Sequence, residues 1–220
     1  MPKSCACLWE EDDLVVKALA DVLARIAPPM STAWRRRLDQ NLASPLRERG
    51  SLEMRRGTPT TPTAAETRRR RFETVSAFAF YDVVERAIKH EVPAQVLDGG
   101  PYPQMRTVAA KMMFLINDLN SLPKEIDGGD AAHYNTVAAH STEEKVSLEQ
   151  AADAANTQLN AYAREYLSLQ GPLMDHLDTL ELSDSGRFQV WENVRAVAAF
   201  LGGAVEWHLT APRYREHFTS

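Results

Sequence analysis

The apolar residues of this chain recur at intervals of three and four, and this spacing limits the possible folds more than any other feature. The first stripe is formed by Val15, Leu19, Val22 and Ile26. It predicts a helix from about Asp13 to Ala27, ended by the prolines that follow. No segment shows the period of two that is typical of a half-buried strand. With only 10 glycines in 220 residues, a turn-rich β fold is also disfavoured, and we expect an all-α protein.

The same periodicity predicts the remaining helices. Ser31 is a suitable N-cap for a second, basic helix that Pro45 is expected to kink or break. Capping-box spacing is present at Thr63–Glu66 and Ser147–Gln150, and Gly171–Pro172 is expected to interrupt a helix. The predicted later helices run from about Thr63 to His90, Pro103 to Glu125, Asp130 to His140, Ser147 to Leu180 and Ser185 to Leu209.

Length and composition indicate one globular domain. A chain of 220 residues with 44% hydrophobic residues suits a single core, so we expect one domain over residues 1–220, with 1–12 disordered. The longest apolar run, 196–205, is about half of the roughly 20 residues that a membrane-spanning helix needs. Residues 1–9 carry no secretory signal, and Cys5 and Cys7 cannot build a disulfide framework. We expect a cytoplasmic protein.

Basic clusters indicate that the partner carries phosphate. The net charge is −5, yet arginines are concentrated at Arg35–Arg37, Arg55–Arg56 and Arg68–Arg71. Such clusters attract nucleic acid, lipid headgroups or a phosphorylated metabolite, and a solvated helix face is the alternative. The rest of the chain is acidic and has no helix-turn-helix, zinc or RNA-binding signature, so we expect no nucleic-acid partner.

A polar cluster follows the apolar run Met112–Ile116. Asn117, Ser121 and Glu125 are spaced by four residues, so on a helix their side chains point in nearly the same direction. An amide oxygen, a hydroxyl and a carboxylate are hard ligands that Mg²⁺ accepts, usually together with water and substrate phosphate oxygens. The pattern predicts a metal site that carries a single formal negative charge.

The segment Asn117-Asp-Leu-Asn-Ser-Leu-Pro-Lys-Glu125 resembles the second metal motif of class I terpene synthases, the cyclases that ionise prenyl diphosphates. Arg71, 46 positions before Asn117, matches the diphosphate-sensing arginine of that family. Arg213–Tyr214 is similar to its C-terminal Arg-Tyr pair, with Trp207 six positions earlier. A loop from Gly129 to Asn135 resembles the segment after the motif. The resemblance covers about Ala18 to Phe218.

This resemblance implies a class I terpene synthase helical bundle, incomplete at its N-terminus, that uses up to three Mg²⁺ ions. The implied metal ligands are Asn117, Ser121 and Glu125. The implied diphosphate-binding residues are Arg71, Lys124, Arg213 and Tyr214. Helical spacing adds the candidate pocket wall: Phe78, Met113, Phe114 and Trp207.

The chain departs from the family pattern at three points. The Asp-rich first metal motif is absent, and Asp12 and Asp13 are the nearest candidates for a second metal site; the alternative is an acidic helix N-terminus. Pro123 lies within the metal motif, where it removes a helix hydrogen bond and could move Glu125 out of line. Val75 stands where many bacterial members have a helix-breaking glycine.

The resemblance implies Mg²⁺-dependent ionisation and cyclisation of a prenyl diphosphate, with farnesyl or geranyl diphosphate as first candidates and diphosphate as the leaving group. The alternative is a truncated, catalytically inactive homologue that binds diphosphate, lipid or a partner protein. We expect no stable membrane insertion, and a homodimer is the assembly to test.

Overall fold

Helices supply all of the regular secondary structure in residues 14–54, 61–129 and 131–215, the part of the chain that this computed structural model describes. The first six are α1 (Leu14–Ile26), α2 (Thr32–Met54), α3 (Ala64–Thr74), α4 (Ala77–Ile88), α5 (Ala94–Leu97) and α6 (Pro101–Asp127). The others are α7 (Ala131–Tyr134), α8 (Thr136–Glu144), α9 (Leu148–Ser168), α10 (Gln170–Thr179), α11 (Asp184–Thr210) and α12 (Pro212–Arg215). The prediction of an all-α fold is confirmed.

Several helix boundaries differ from the prediction. Helix α2 runs through Pro45 without a break. The single helix predicted from Thr63 to His90 is two helices, because Ser76 between them has a positive φ of 59°, a conformation that an α-helix cannot contain. The segment predicted from Asp130 to His140 divides in the same way into α7 and α8, with Asn135 in extended conformation before α8.

The predicted caps are formed, one fully and one in part. Ser147 and Gln150 make both bonds of a capping box at the start of α9, at 3.1 and 3.0 Å. The Thr63 hydroxyl accepts a bond from the N–H of Glu66 at 3.2 Å, but the Glu66 carboxylate pairs with Arg70 instead of returning to Thr63. Helices α9 and α10 meet at Leu169, close to the interruption expected at Gly171–Pro172.

Helix α6 passes through the centre of the protein and packs against α4, α8, α9 and α11. Its small residues Ala109 and Ala110 are fully buried, which lets the neighbouring helices approach closely. The main core is contributed by α4, α6, α9, α10 and α11, and its largest fully buried side chains include Tyr81, Met105, Leu173 and Leu177. Among the described residues, no helix is both long and apolar enough to cross a membrane.

A buried ionic cluster joins α2, α4 and α6. The carboxylate of Asp82 is completely buried and accepts bonds from Arg37 at 2.8 Å, Arg106 at 3.0 Å and Asn41 at 2.7 Å. Glu85, one turn further along α4, accepts from Arg37 at 2.6 Å. Burial raises the pKa of Glu85 to about 7, against the opposing effect of the Arg37 charge.

Replacing Glu85 with glutamine is expected to flatten the dependence of stability on pH. Between about pH 4.5 and 7 the folded protein keeps a proton on Glu85 that the unfolded chain releases. The free energy of unfolding of the wild type therefore falls as the pH rises through this interval, by at most about 1.4 kcal/mol per pH unit from this group. Urea denaturation at pH 4.5 and 7.5 should show a smaller decrease for Glu85→Gln. Glu73→Gln, in an exposed ion pair with Arg69, should keep the wild-type slope, and an equal slope in all three proteins would contradict the prediction.

Candidate active site

A cavity of about 720 Å³ lies between α1, α2, the junction of α3 and α4, α6, α11 and α12. Much of its wall is apolar, contributed by Leu19, Leu42, Pro45, Leu46, Val75, Phe80, Met113, Phe200, Ala204 and Trp207. The polar part of the lining is formed by Arg71, Thr74, Ser76, Asn117, His208, Arg213 and Tyr214. A cavity of this size with few polar groups is typical of a small-molecule site.

The break between α3 and α4 forms part of this wall. Val75 and Ser76 both line the cavity, and Ser76 turns the chain with its positive φ of 59°. The lack of a helix-breaking glycine at Val75 therefore does not leave an unbroken helix here, because the next residue adopts the left-handed conformation. The turn at Val75 and Ser76 thus borders the cavity directly after Arg71 and the end of α3.

Arg71 connects α3 to the polar motif on α6. Its Nη2 donates to Oδ1 of Asn117 at 2.5 Å, and its Nε donates to Oδ1 of Asp118 at 2.6 Å. The Arg71 side chain is only 12% exposed, so these charge-assisted bonds are partly shielded from water. Asp118 is fully buried, and its other oxygen accepts from both the N–H and the hydroxyl of Thr136.

The Asn117 amide is held from the opposite side by His208 of α11. Nδ1 of His208 lies 2.6 Å from the carbonyl oxygen of Ala204; since a carbonyl can only accept, Nδ1 carries the hydrogen. Nε2 then accepts from Nδ2 of Asn117 at 3.0 Å. Burial lowers the pKa of His208, which favours the neutral ring that this arrangement requires. The amide oxygen of Asn117 is therefore directed to Arg71 and its nitrogen to His208.

Aromatic rings surround this polar group. The ring centroid of Tyr214 lies 4.9 Å from that of His208 and 5.4 Å from that of Trp207, which it meets edge-on. The rings of Phe80 and Phe200 are stacked with their centroids 5.6 Å apart. Trp207 remains 52% exposed, so the cavity is open on that side.

The third residue of the motif, Glu125, lies near the end of α6. Its Oε2 accepts from Nδ2 of Asn135 at 2.8 Å. Burial raises the pKa of Glu125, whereas the Asn135 bond and the nearby Ser121 hydroxyl lower it. That hydroxyl is buried and makes no hydrogen bond of regular geometry with any described residue. Ser121 and Glu125 thus lie close together on α6, as predicted.

The structure separates the predicted site residues into two groups. Arg71, Asn117, Arg213 and Tyr214 meet at the cavity, and Met113 and Trp207 contribute to its wall. Ser121, Lys124 and Glu125 lie on α6 outside this lining. Asp12 and Asp13 lie outside the described residues.

The positions of Phe78 and Phe114 correct the predicted wall. Phe78 packs into the core against Phe72 at 5.7 Å and beneath Arg106 at 5.5 Å. Phe114 is fully buried and lines a separate cavity of about 180 Å³ between α3, α6, α8 and α9. Phe80 and Phe200 take their places in the large cavity.

Three further residues hold the site residues by hydrogen bonds that the sequence patterns did not predict: His208 binds Asn117, Asp118 binds Arg71, and Asn135 binds Glu125. Asp118 and Asn135 fall within segments whose resemblance to the family was visible, but no spacing rule connects them to Glu125 or Arg71. His208 directly follows Trp207, and nothing local predicts that it contacts Asn117, 91 positions away.

The metal ligands predicted on α6 are of mixed type. Within the described residues there is no group of three or more histidines, cysteines, aspartates or glutamates that could hold a metal ion. The predicted ligands are instead the amide oxygen of Asn117, at the cavity, and the Ser121 hydroxyl and Glu125 carboxylate, which do not line it. These are ligands of the hard type that suits Mg²⁺.

Comparison with known proteins identifies one family. The model described as "Terpene synthase family 2, C-terminal metal binding" matches residues 1–165. The 7-epi-alpha-eudesmol synthase ((2E,6E)-farnesyl diphosphate cyclizing) of Streptomyces viridochromogenes is 34% identical over 149 residues, which cover 68% of this chain and 42% of that enzyme. The pentalenene synthase of Streptomyces arenae is 29% identical over 150 residues, 67% of this chain and 44% of the relative. The chain spans less than half the length of these two relatives.

Solved structures show the same similarity. The crystal structure of an α-eudesmol synthase superposes with a TM-score of 0.81 and 28% identity, over 96% of this chain and 65% of that one. A linalool/nerolidol synthase from Streptomyces clavuligerus, solved with 2-fluorogeranyl diphosphate, has a TM-score of 0.83 and 22% identity, over 94% of this chain and 68% of that one. Because the identity to this second structure is only 22%, the superposition shows a shared fold alone.

Proposed function

Because this chain belongs to terpene synthase family 2, we propose that it binds a prenyl diphosphate, with farnesyl or geranyl diphosphate as first candidates, and catalyses its Mg²⁺-dependent ionisation and cyclisation. The observation that carries the proposal is the position of Arg71, Asn117 and Arg213 at the border of a largely apolar cavity of about 720 Å³. A prenyl diphosphate has the matching character, with a charged head and a long apolar chain.

The motif on α6 fits a divalent cation. The Ser121 hydroxyl is buried beside the Glu125 carboxylate on the same helix, so two hard oxygen ligands are available together. Asn117, Ser121 and Glu125 would hold the ion. When bound, Mg²⁺ supplies Lewis-acid stabilisation of the departing diphosphate.

The residues of the chain have separate tasks in this proposal. Arg71 and Arg213 bind the diphosphate oxygens through their guanidinium groups, and Arg71 exchanges its bond to Asn117 for a bond to the anion. Lys124, which lies on α6 outside the cavity lining, contributes positive charge at longer range, and Tyr214 donates a hydrogen bond. The faces of Phe80, Phe200 and Trp207 stabilise an allylic cation, by about 0.5–2 kcal/mol each. The apolar wall excludes water that would quench it.

The direct test is turnover by the purified protein. It should convert one of geranyl, farnesyl or geranylgeranyl diphosphate, with Mg²⁺ present, into a terpene detected by gas chromatography and mass spectrometry. Asn117→Ala should lower the rate by at least about 100-fold, by analogy with the loss of one metal-ordering or oxyanion-stabilising group. Asn120→Ala is the matched control, since Asn120 lies on the same helix and its one side-chain hydrogen bond within the described part of the chain goes to the Ile116 carbonyl at 2.7 Å.

The outcomes separate the alternatives. If the protein binds prenyl diphosphate in a Mg²⁺-dependent way without forming product, it is a diphosphate-binding homologue and the catalytic proposal is wrong. If Asn117→Ala and Asn120→Ala have equal activity, the assignment of the metal motif is wrong even though turnover occurs.

A further inference from the structure

Asn135 lies between α7 and α8, contacts α6 with its side chain and is completely buried. Its Oδ1 accepts from the N–H groups of Val137 at 2.9 Å and Ala138 at 3.4 Å, and so caps the start of α8. Its Nδ2 donates to the carbonyl of Asp118 and to Oε2 of Glu125, both at 2.8 Å. One amide group therefore caps a helix with its oxygen and holds the motif carboxylate with its nitrogen.

Glu125 needs such a partner because α6 alone does not fix its carboxylate. Pro123 has no N–H to donate to the Leu119 carbonyl, so the last turn of α6 lacks one of its hydrogen bonds. Glu125 lies two residues after this proline and two before the end of the helix at Asp127. A glutamate side chain also loses rotamer entropy when it is held in one conformation, and a fixed partner is needed to offset that loss.

The Asn135 bond restricts how Glu125 can bind a cation. It uses one lone pair of Oε2 and fixes the plane of the carboxylate, so Oε1 and the second lone pair of Oε2 remain for a cation. The same Nδ2 holds the carbonyl of Asp118, the residue next to Asn117, and this ties both ends of the motif to one side chain. Partners that orient metal ligands in this way commonly affect metal affinity or activity by about 10–100-fold.

We propose that Asn135 is a positioning residue for the metal site, which keeps the Glu125 carboxylate directed along the motif in spite of Pro123. The inference rests on the proposed function, because it assumes that Glu125 is a ligand. The cap of α8 and the positioning of Glu125 depend on different atoms of the amide, so a substitution can separate them.

The experiment compares Asn135→Ser with Asn193→Ser. Serine retains an acceptor that can cap α8 but lacks the N–H donors that hold Glu125. Asn193 is an equally buried asparagine on α11 that accepts from the Tyr102 hydroxyl at 2.6 Å and has no hydrogen bond to the motif in the described residues. The probe is Mn²⁺ with inorganic diphosphate, and the dissociation constant of Mn²⁺ is measured by electron paramagnetic resonance.

Both variants should lose stability, but only Asn135→Ser should weaken Mn²⁺ binding, by about 10–100-fold. In turnover assays the Mg²⁺ concentration for half-maximal rate should rise by a similar factor, while kcat at saturating Mg²⁺ changes much less. If Asn135→Ser does not fold, Asn135→Thr tests the same point, because threonine also offers a capping hydroxyl and lacks the N–H donors.

Two results would overturn the inference in distinguishable ways. If a folded Asn135 variant binds Mn²⁺ as tightly as the wild type, Asn135 acts only as a helix cap. The proposed function would not be affected by this result. If the wild-type protein does not bind Mn²⁺ in the presence of diphosphate, the assignment of the metal site is wrong. The inference about Asn135 is then wrong as well.

Discussion

Asp118→Asn is expected to lower the free energy of unfolding by about 3–5 kcal/mol, the cost of breaking a buried ion pair by removing one charge. Asp118 has no exposed surface, and its two oxygens accept from Arg71 and twice from Thr136. An amide can offer an oxygen to only one of these neighbours and would direct its own N–H groups at donors on the other side. The Arg71 guanidinium would also lose its ion-pair partner.

The measurement is urea or thermal unfolding followed by circular dichroism. Asp21→Asn is the matched control, since Asp21 forms an exposed pair with Arg25 on α1 at 2.8 Å and such pairs contribute about 0–1 kcal/mol. A loss below about 1 kcal/mol for Asp118→Asn would mean that the connection between α3, α6 and α8 does not depend on this carboxylate.

Arg71→Lys is expected to reduce kcat/KM for the prenyl diphosphate by about 100- to 1,000-fold, the usual effect of removing one group that stabilises developing negative charge. Arginine donates to Asn117, Asp118 and Thr74 from three different nitrogens. Lysine presents a single ammonium on a flexible chain and cannot make a planar, two-point contact with both the motif and the anion. Because lysine keeps the positive charge, the loss of kcat/KM would report the geometry of the guanidinium contacts.

Arg69→Lys provides the comparison. Arg69 belongs to the same helix and the same run of arginines, but its side chain is 56% exposed and pairs with Glu73. It should retain wild-type activity. Equal activity of both variants would contradict the assignment of Arg71 to the diphosphate, whereas equal inactivation would point to a general effect of charge on this helix.

Local patterns were sufficient for the fold class, for a helix cap and for the placement of three polar residues on one helix. The intervals of three and four predicted an all-α fold, and the side chains of Ser147 and Gln150 predicted the start of α9, because caps depend on residues three positions apart. Asn117, Ser121 and Glu125 were placed on one helix correctly, since the period of 3.6 residues holds within an unbroken helix. Met113, one turn before Asn117, faces the cavity for the same reason.

Predictions that crossed a break failed. Phe78 was placed on the wall by counting two turns from Arg71 along one continuous helix, but the left-handed residue Ser76 ends that helix and resets the direction of the side chains that follow. Phe80 therefore lines the cavity and Phe78 enters the core. Phe114 follows Met113 by one residue, which is a rotation of about 100°, and it faces the smaller cavity on the other side of α6.

The sequence by itself determined that this chain is helical and that Asn117, Ser121 and Glu125 lie on one helix, α6. Only the tertiary structure decided which groups hold them: Arg71 and His208 on the Asn117 amide, and Asn135 on the Glu125 carboxylate. Helix periodicity is a property of neighbouring residues. The pairing of side chains from different helices depends on how each helix is rotated and packed in the core, which local spacing does not specify.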